Sequence, residues 1–580
     1  MAESSKGSFR FYTRLSGFFM RVELLTTRQL FNIFLWVSII LGGFHAIASR
    51  NAINPDGVSY IEIAQKYLQG DLHSALSAYW SPLYAWLTAI VFWIFQPSLS
   101  WELSVAHGLN YIIFLCSFLT FHFLLNELEK TSYSQETKVP FRMVRLVGYC
   151  IFLVSSLGLI RIALVTPDML VSACVYLSVA FALRFNRVEN FSSAVLLGVL
   201  LAFGYFAKTI LFPLAFIILI SVVLSKRFKW HRIFKIGLAF FVFLSISLLF
   251  IIPLSRDRGY FTIGDSGKLV YDWQVNRVNG FVHWQGDALS GVPTHTTRKV
   301  MDRPAIFEFR SPIGGTYAPW FDPAYLNQGM QVFFNWKSQF QTLSRNISGL
   351  YSLVIYNFSP VVLLLFVFAW LNNFSFAQFI KKIFHNFVLI IPALAGLSIY
   401  SLVSVEGRYI APFLALLLIG VLAELPVPKD FNQKFSQPFM VGVAAMLGLF
   451  IILFSSNDVG DSIAVIVGRS NDKTTQWQIA EELHALGVKP GDEVGIISQY
   501  VAGFESYWAH LAGVRIVAEL PSNEINTYWF SDDNTKKSVL KTFEKVGVRA
   551  VVMENMQNPQ PMAGWKKIGG TEYYIYSFLR

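Results

Sequence analysis

The sequence predicts a mainly α-helical polytopic membrane protein of about eleven transmembrane helices, with a small extracytoplasmic α/β domain at its C-terminal end. Three observations carry that prediction. Of the 580 residues, 54% are hydrophobic and only 14% are charged. Apolar runs recur at about the 20-residue length that crosses a bilayer. Beyond residue 455 the charge density rises, and helix-period segments alternate with short strand-like ones.

The net charge of +11 would suit a nucleic-acid partner if it formed a patch. Instead the Lys and Arg residues gather beside apolar segments: Lys6 to Arg28, Lys130 to Arg145, Arg184 with Arg187, Lys226 to Lys235, Lys381 with Lys382, and Lys429 with Lys434. Placing every cluster in the cytoplasm satisfies the positive-inside rule and makes the intervening runs cross in pairs. The basicity is therefore topogenic, and no nucleic acid is expected.

The spans are read near 29–49, 103–127, 146–165, 169–186, 191–208, 210–225, 236–254, 350–371, 386–403, 409–425 and 438–455. The N-terminus is then cytoplasmic and the C-terminus outside. Leu83 to Phe95 is short for a crossing and is expected as an interfacial or re-entrant helix, since counting it would invert every later loop. Ala46-Ile47-Ala48 resembles a signal-peptide cleavage site, but the long basic lead-in and the spanning length favour a retained helix. Cys116, Cys150 and Cys174 each fall within an apolar span, so no disulfide or metal framework is expected.

This gives a membrane module over 1–455, with outer loops 50–102 and 255–349, and an α/β domain over 456–580. The domain's units are Trp477–Leu486 leading to Glu493–Ser498, Ser506–Leu511 to Val514–Glu519, and Val539–Val546 to Ala550–Glu554. It has neither G-x-G-x-x-G nor P-loop spacing, so no nucleotide cofactor is expected.

Ionisable residues near a membrane interior are costly and usually functional. On this topology the outer membrane face collects Asp56, Asp168, Lys208, Arg256, Asp257, Arg258, Glu406, Arg408 and Tyr409, none of which was used to assign it. Each has an ordinary structural alternative. Asn54 as N-cap and Pro55 at the first helical position would make Asp56 a helix-dipole partner worth about 0.3–1 kcal/mol, and Asp168 after Pro167 has the same reading. Lys208 and Arg408 would suit interfacial anchors whose side chains snorkel to headgroups.

The order and spacing of these elements resemble the type C (GT-C) glycosyltransferase superfamily, particularly the bacterial branch related to protein O-mannosyltransferases and the lipid A aminoarabinose transferase. The resemblance rests on Asp56-Gly57-x-x-Tyr60 with Gly70-Asp71, Ser81-Pro82-Leu83-Tyr84, Thr166-x-Asp168, Ala207-Lys208-Thr209 and Glu406-Gly407-Arg408-Tyr409-x-x-Pro412. It extends to about residue 425. Two departures stand out: Trp80-Ser81-Pro82 lacks the Lys that often precedes the Pro-rich turn, and Gly57 stands where a second carboxylate often follows the first.

The resemblance implies extracytoplasmic sugar transfer from a polyprenyl-phosphate-linked donor to an acceptor protein, lipid or glycan. Asp56 would be the base of an inverting displacement, and Asp168 would orient the acceptor or share that role. Lys208, Arg408 and Arg256 or Arg258 would neutralise the leaving phosphate, so neither metal nor other cofactor is expected. Tyr60, Tyr84, Glu406, Tyr409 and His295 are candidate contacts for sugar or acceptor, with Trp80 and Trp320 as further aromatic faces. The alternatives are a lipid-linked glycan transporter or flippase, against which stand the absence of an internal repeat and the one-faced polar groups, and a Wzy-like polysaccharide polymerase.

Overall fold

A computed structural model of the chain describes residues 25–132, 139–278, 283–310, 314–371, 386–425, 433–469, 474–497, 506–554 and 563–579. The topogenic residues Lys6, Lys381, Lys382 and Lys429 lie outside the described residues.

Every predicted span overlaps a helix, although the helix under the span read at 146–165 ends at Ile160. Thr27–Ala48, Glu102–Thr131, Phe141–Ile160, Asp168–Val188, Trp230–Arg258, Trp336–Trp370 and Phe439–Ile466 are long and apolar enough to cross a bilayer. Phe191–Ala207, Leu211–Leu224, Phe387–Val403 and Gly407–Ala423 are shorter apolar helices in the same bundle. Their outward faces carry exposed Trp36, Phe203, Phe241, Leu249, Phe366 and Trp370, as suits contact with lipid. The chain is an integral membrane protein.

Small residues let these helices approach closely. A Cβ at Gly198 would lie 2.4 Å from the backbone oxygen of Ala239, so Phe191–Ala207 crosses Trp230–Arg258 almost in backbone contact. The hole left by Gly396 is filled by the ring of Phe413, which a Cβ would meet at 2.3 Å.

The bundle has two chemically distinct ends. Asp168–Val188 runs about 30 Å at the α-helical rise, with Asp168 at one end and Arg187 near the other. At the Arg187 end, Arg187 pairs with Glu127 at 2.8 Å and Arg232 with Glu189 at 2.9 Å, joining several of the predicted basic clusters. At the Asp168 end lie Pro55–Leu68 and Pro82–Phe95, two helices of 14 residues packed on each other. Pro82–Phe95, the segment expected not to cross, is about 21 Å long, the same length as the helix Leu211–Leu224 in the bundle.

At the same end stands a sheet of order β1-β2-β4-β3-β5-β7-β6. Its strands are β1 Arg298–Asp302, β2 Ala305–Glu308, β3 Glu493–Ile497, β4 Arg515–Leu520, β5 Ala550–Glu554, β6 Lys566–Lys567 and β7 Tyr573–Ser577. β3 pairs in parallel with β4 and β5, as the alternating helix and strand pattern predicts, through Thr475–Ala485, Tyr507–Ala512 and Asp533–Val546. β2 adds antiparallel to β4, so the 255–349 segment supplies two strands of this sheet. Position 455, expected as the end of the membrane module, falls within the helix Gln433–Ile466.

His510 fastens this unit to the bundle. Its Nδ1 lies 3.1 Å from Glu62 on Pro55–Leu68, and its Nε2 lies 2.9 Å from Glu102 at the start of Glu102–Ser132. Burial disfavours the imidazolium, but hydrogen bonds to Glu102 and Glu62 and their charges outweigh it and push His510 up to about 10.

Candidate active site

Asp56 is the second residue of Pro55–Leu68, where the helix dipole favours a carboxylate. Asn54, expected to cap that helix, makes no cap hydrogen bond. Its side chain instead reaches the loop before Asp168: Oδ1 accepts from Val165 N at 2.9 Å, and Nδ2 donates to Val165 O at 3.5 Å. Gly57 completes the join, because a Cβ there would lie 2.8 Å from Val165 Cβ. The position beside Asp56 therefore has no room for a second carboxylate.

Asp168 opens its own helix after Pro167 and is buried, at 2% exposure. Lys208 ends Phe191–Ala207 in extended backbone and donates from Nζ to Asp168 Oδ1 at 2.6 Å. Arg408, at the start of Gly407–Ala423, donates from Nη1 to Asp56 Oδ2 at 2.9 Å and lies 3.6 Å from Asp168 Oδ2. Its Nε donates to Glu406 at 2.9 Å and its Nη2 to the Tyr409 hydroxyl at 3.0 Å. Lys208 Nζ sits 3.7 Å and Arg408 Cζ 4.8 Å from the centroid of the Tyr409 ring, which also stacks on Tyr400 at 5.3 Å.

These groups line a cavity of about 1020 Å³. Tyr60, Tyr79, Trp80, Trp273 and Trp320 form an aromatic wall to it, with Tyr79 at 5.8 Å from Trp273 and 5.9 Å from Trp320 between ring centroids. A charged cluster beside flat apolar faces is the surface that a phosphorylated sugar presents in reverse.

No protein-family model matches the chain. No curated protein matches it either. Among solved structures, that of ArnT from Cupriavidus metallidurans bound to undecaprenyl phosphate superposes with a TM-score of 0.53 and 12% identity, over 95% of this chain and 98% of that one. The apo Archaeoglobus fulgidus oligosaccharyltransferase gives 0.50 and 12% identity, over 89% of this chain and 69% of that one. This chain has the GT-C fold.

Within the GT-C fold the structure brings Asp56, Tyr60, Asp168, Lys208, Glu406, Arg408 and Tyr409 to one cavity. Four other candidates lie outside its lining. Arg256 is exposed, and Arg258 donates to Asp322 at 2.7 Å and to the Leu76 carbonyl at 2.8 Å, a buried pair that anchors the 318–326 turns. The Tyr84 hydroxyl donates to Asn110 at 2.6 Å, and Asn110 in turn donates to the Ile162 and Leu164 carbonyls, so Tyr84 braces the loop leading to Asp168. His295 stacks on Tyr325 at 3.9 Å and bonds Gln328 at 3.0 Å.

The cavity also holds residues that sequence reasoning passed over. Tyr79, Trp273 and Tyr400 read as interfacial aromatics, with no local signal to separate them from a membrane belt. Arg161 had a signal: it is a lone cation inside the apolar run 146–165.

Proposed function

We propose that this chain is an inverting glycosyltransferase that moves a hexosyl or pentosyl group from a polyprenyl-phosphate-linked donor to an acceptor protein, lipid or glycan. The reaction would take place at the outer face of a bacterial plasma membrane. One observation carries the reading: Asp56 and Asp168 face Lys208 and Arg408 in a roomy cavity walled by aromatics.

The donor's isoprenoid stays in lipid while its phosphate and sugar enter the cavity. Phosphate oxygens compete with Asp56 and Asp168 for Arg408 and Lys208, so donor binding releases Asp56 from its ion pair. Asp56 then takes the acceptor hydroxyl proton as that oxygen bonds to the anomeric carbon. The bond from that carbon to the phosphate oxygen breaks, and polyprenyl phosphate departs with the electron pair, stabilised by Lys208 and Arg408. Asp168, held by Lys208, orients the acceptor. The outer-face assignment is supported by the basic clusters joined at the opposite end of the bundle, which the positive-inside rule puts in the cytoplasm.

The test compares lipid-linked sugars and envelope glycans by mass spectrometry in cells with and without the gene. Accumulation of a prenyl-phosphate monosaccharide together with loss of one glycan modification is expected. Unchanged pools of both would overturn the proposal.

A further inference from the structure

The cations lining the cavity are Arg161, Lys208 and Arg408, and the acids lining it are Asp56, Asp168 and Glu406. Lys208 and Arg408 are already engaged by those three carboxylates. Without Arg161 the lining would carry one net negative charge and repel an incoming phosphate. The Arg161 side chain makes no hydrogen bond or ion pair with any described residue, and Arg161 is exposed and is one of the residues that line the cavity.

Its backbone is unusual as well. The helix Phe141–Leu153 widens into a π-helical segment, Val154–Ile160, that stops at Arg161 with φ 68° and ψ 128°. Positive φ is costly for a residue with a side chain and concentrates at functional sites. Arg161 N donates to Ser156 O at 2.9 Å, which holds the turn, and Gly158 and Leu159 of the same turn also line the cavity. The strained turn thus places a residue with an uncompensated positive charge in the cavity lining.

We propose that Arg161 is the first receptor for the phosphate of the polyprenyl carrier, before Lys208 and Arg408 are drawn from their carboxylates. This rests on the function proposed above. A guanidinium offers the planar, two-pronged donor set that phosphate oxygens fit, and nothing needs to be displaced for it to bind.

The experiment measures binding of undecaprenyl phosphate, and of undecaprenol as the phosphate-free control, to the full-length protein in detergent. Arg161→Gln is expected to weaken undecaprenyl phosphate by about ten- to a hundredfold, the worth of a charge-assisted contact, and to leave undecaprenol unchanged. Arg161→Lys, which keeps the charge and loses the fork, is expected to fall between. If Gln lowers the melting temperature, Arg161→Gly, which tolerates positive φ, replaces it. Equal undecaprenyl phosphate affinity in wild type and the neutral variant overturns the role of Arg161, and so does parallel loss of both ligands. Failure of the wild-type protein to bind undecaprenyl phosphate at all overturns the proposed function itself.

Discussion

Asp56 and Arg408 stand 352 residues apart in the chain and 2.9 Å apart in the fold. The same guanidinium nitrogen lies 3.6 Å from Asp168, so one arginine ties two acidic helix starts together. Around Arg408 the two carboxylates stand where the proposed donor's phosphate oxygens would bind. Donor binding before acceptor activation follows as the expected kinetic order.

Asp56→Asn keeps size and hydrogen bonding and removes basicity. Transfer is expected to fall by about 10²–10⁴-fold, the usual loss of a general base, with donor affinity kept or raised because one competitor for Arg408 is gone. A variant with near-normal turnover would remove Asp56 from the base role.

Lys208→Met and Arg258→Met separate binding from architecture. Arg258 and Asp322 are both buried, and breaking such a pair costs about 3–5 kcal/mol of stability. Arg258→Met is therefore expected to melt early yet bind undecaprenyl phosphate normally per folded molecule, whereas Lys208→Met loses affinity. The reverse pattern in a lipid-binding titration would exchange their roles.

The bridge at His510 gives a pH signature. The imidazole is held up to about 10 in the fold against an ordinary 6.5, so its contribution is complete below pH 6.5 and is lost as pH rises through about 10. Melting temperature should decline between pH 7 and pH 10, and His510→Gln should flatten that slope. An unchanged slope in the variant would place the pH dependence elsewhere.

Transfer is expected to survive EDTA, because Gly57 leaves Asp56 without an adjacent carboxylate to complete an oxygen cage, and Arg161, Lys208 and Arg408 line the cavity that would take the donor phosphate. Activity lost on chelation and restored by Mn²⁺ or Mg²⁺ would make Asp56 and Asp168 metal ligands and move the base role to another group.

Much of this site was legible in the sequence because charge beside an apolar span is conspicuous. Asp56, Asp168, Lys208 and Arg408 each end or begin a helix, where topology alone sends them to one end of the bundle. Arg258 is just as conspicuous, but its partner Asp322 lies 64 residues on, in a loop without periodicity, so its burial was invisible. Tyr84 shows the same limit: its role is set by Asn110, on a different helix. Arg161 carried a signal of its own as a lone cation, yet one charge did not stop 146–165 from reading as a continuous span. The α/β pattern of the tail was legible, but not the antiparallel strand that joins it, because pairing between Phe307 and Glu519 leaves no trace in either segment.

That pairing also constrains biosynthesis. When β2 emerges from the ribosome, its partner β4 is still about 200 residues from being made, and long-range strand pairing is slow even in a finished chain. Until then β2 has an unpaired edge, the kind of surface that invites pairing with another chain. The interval between making β2 and making β4 thus leaves that edge open to pairing with another chain.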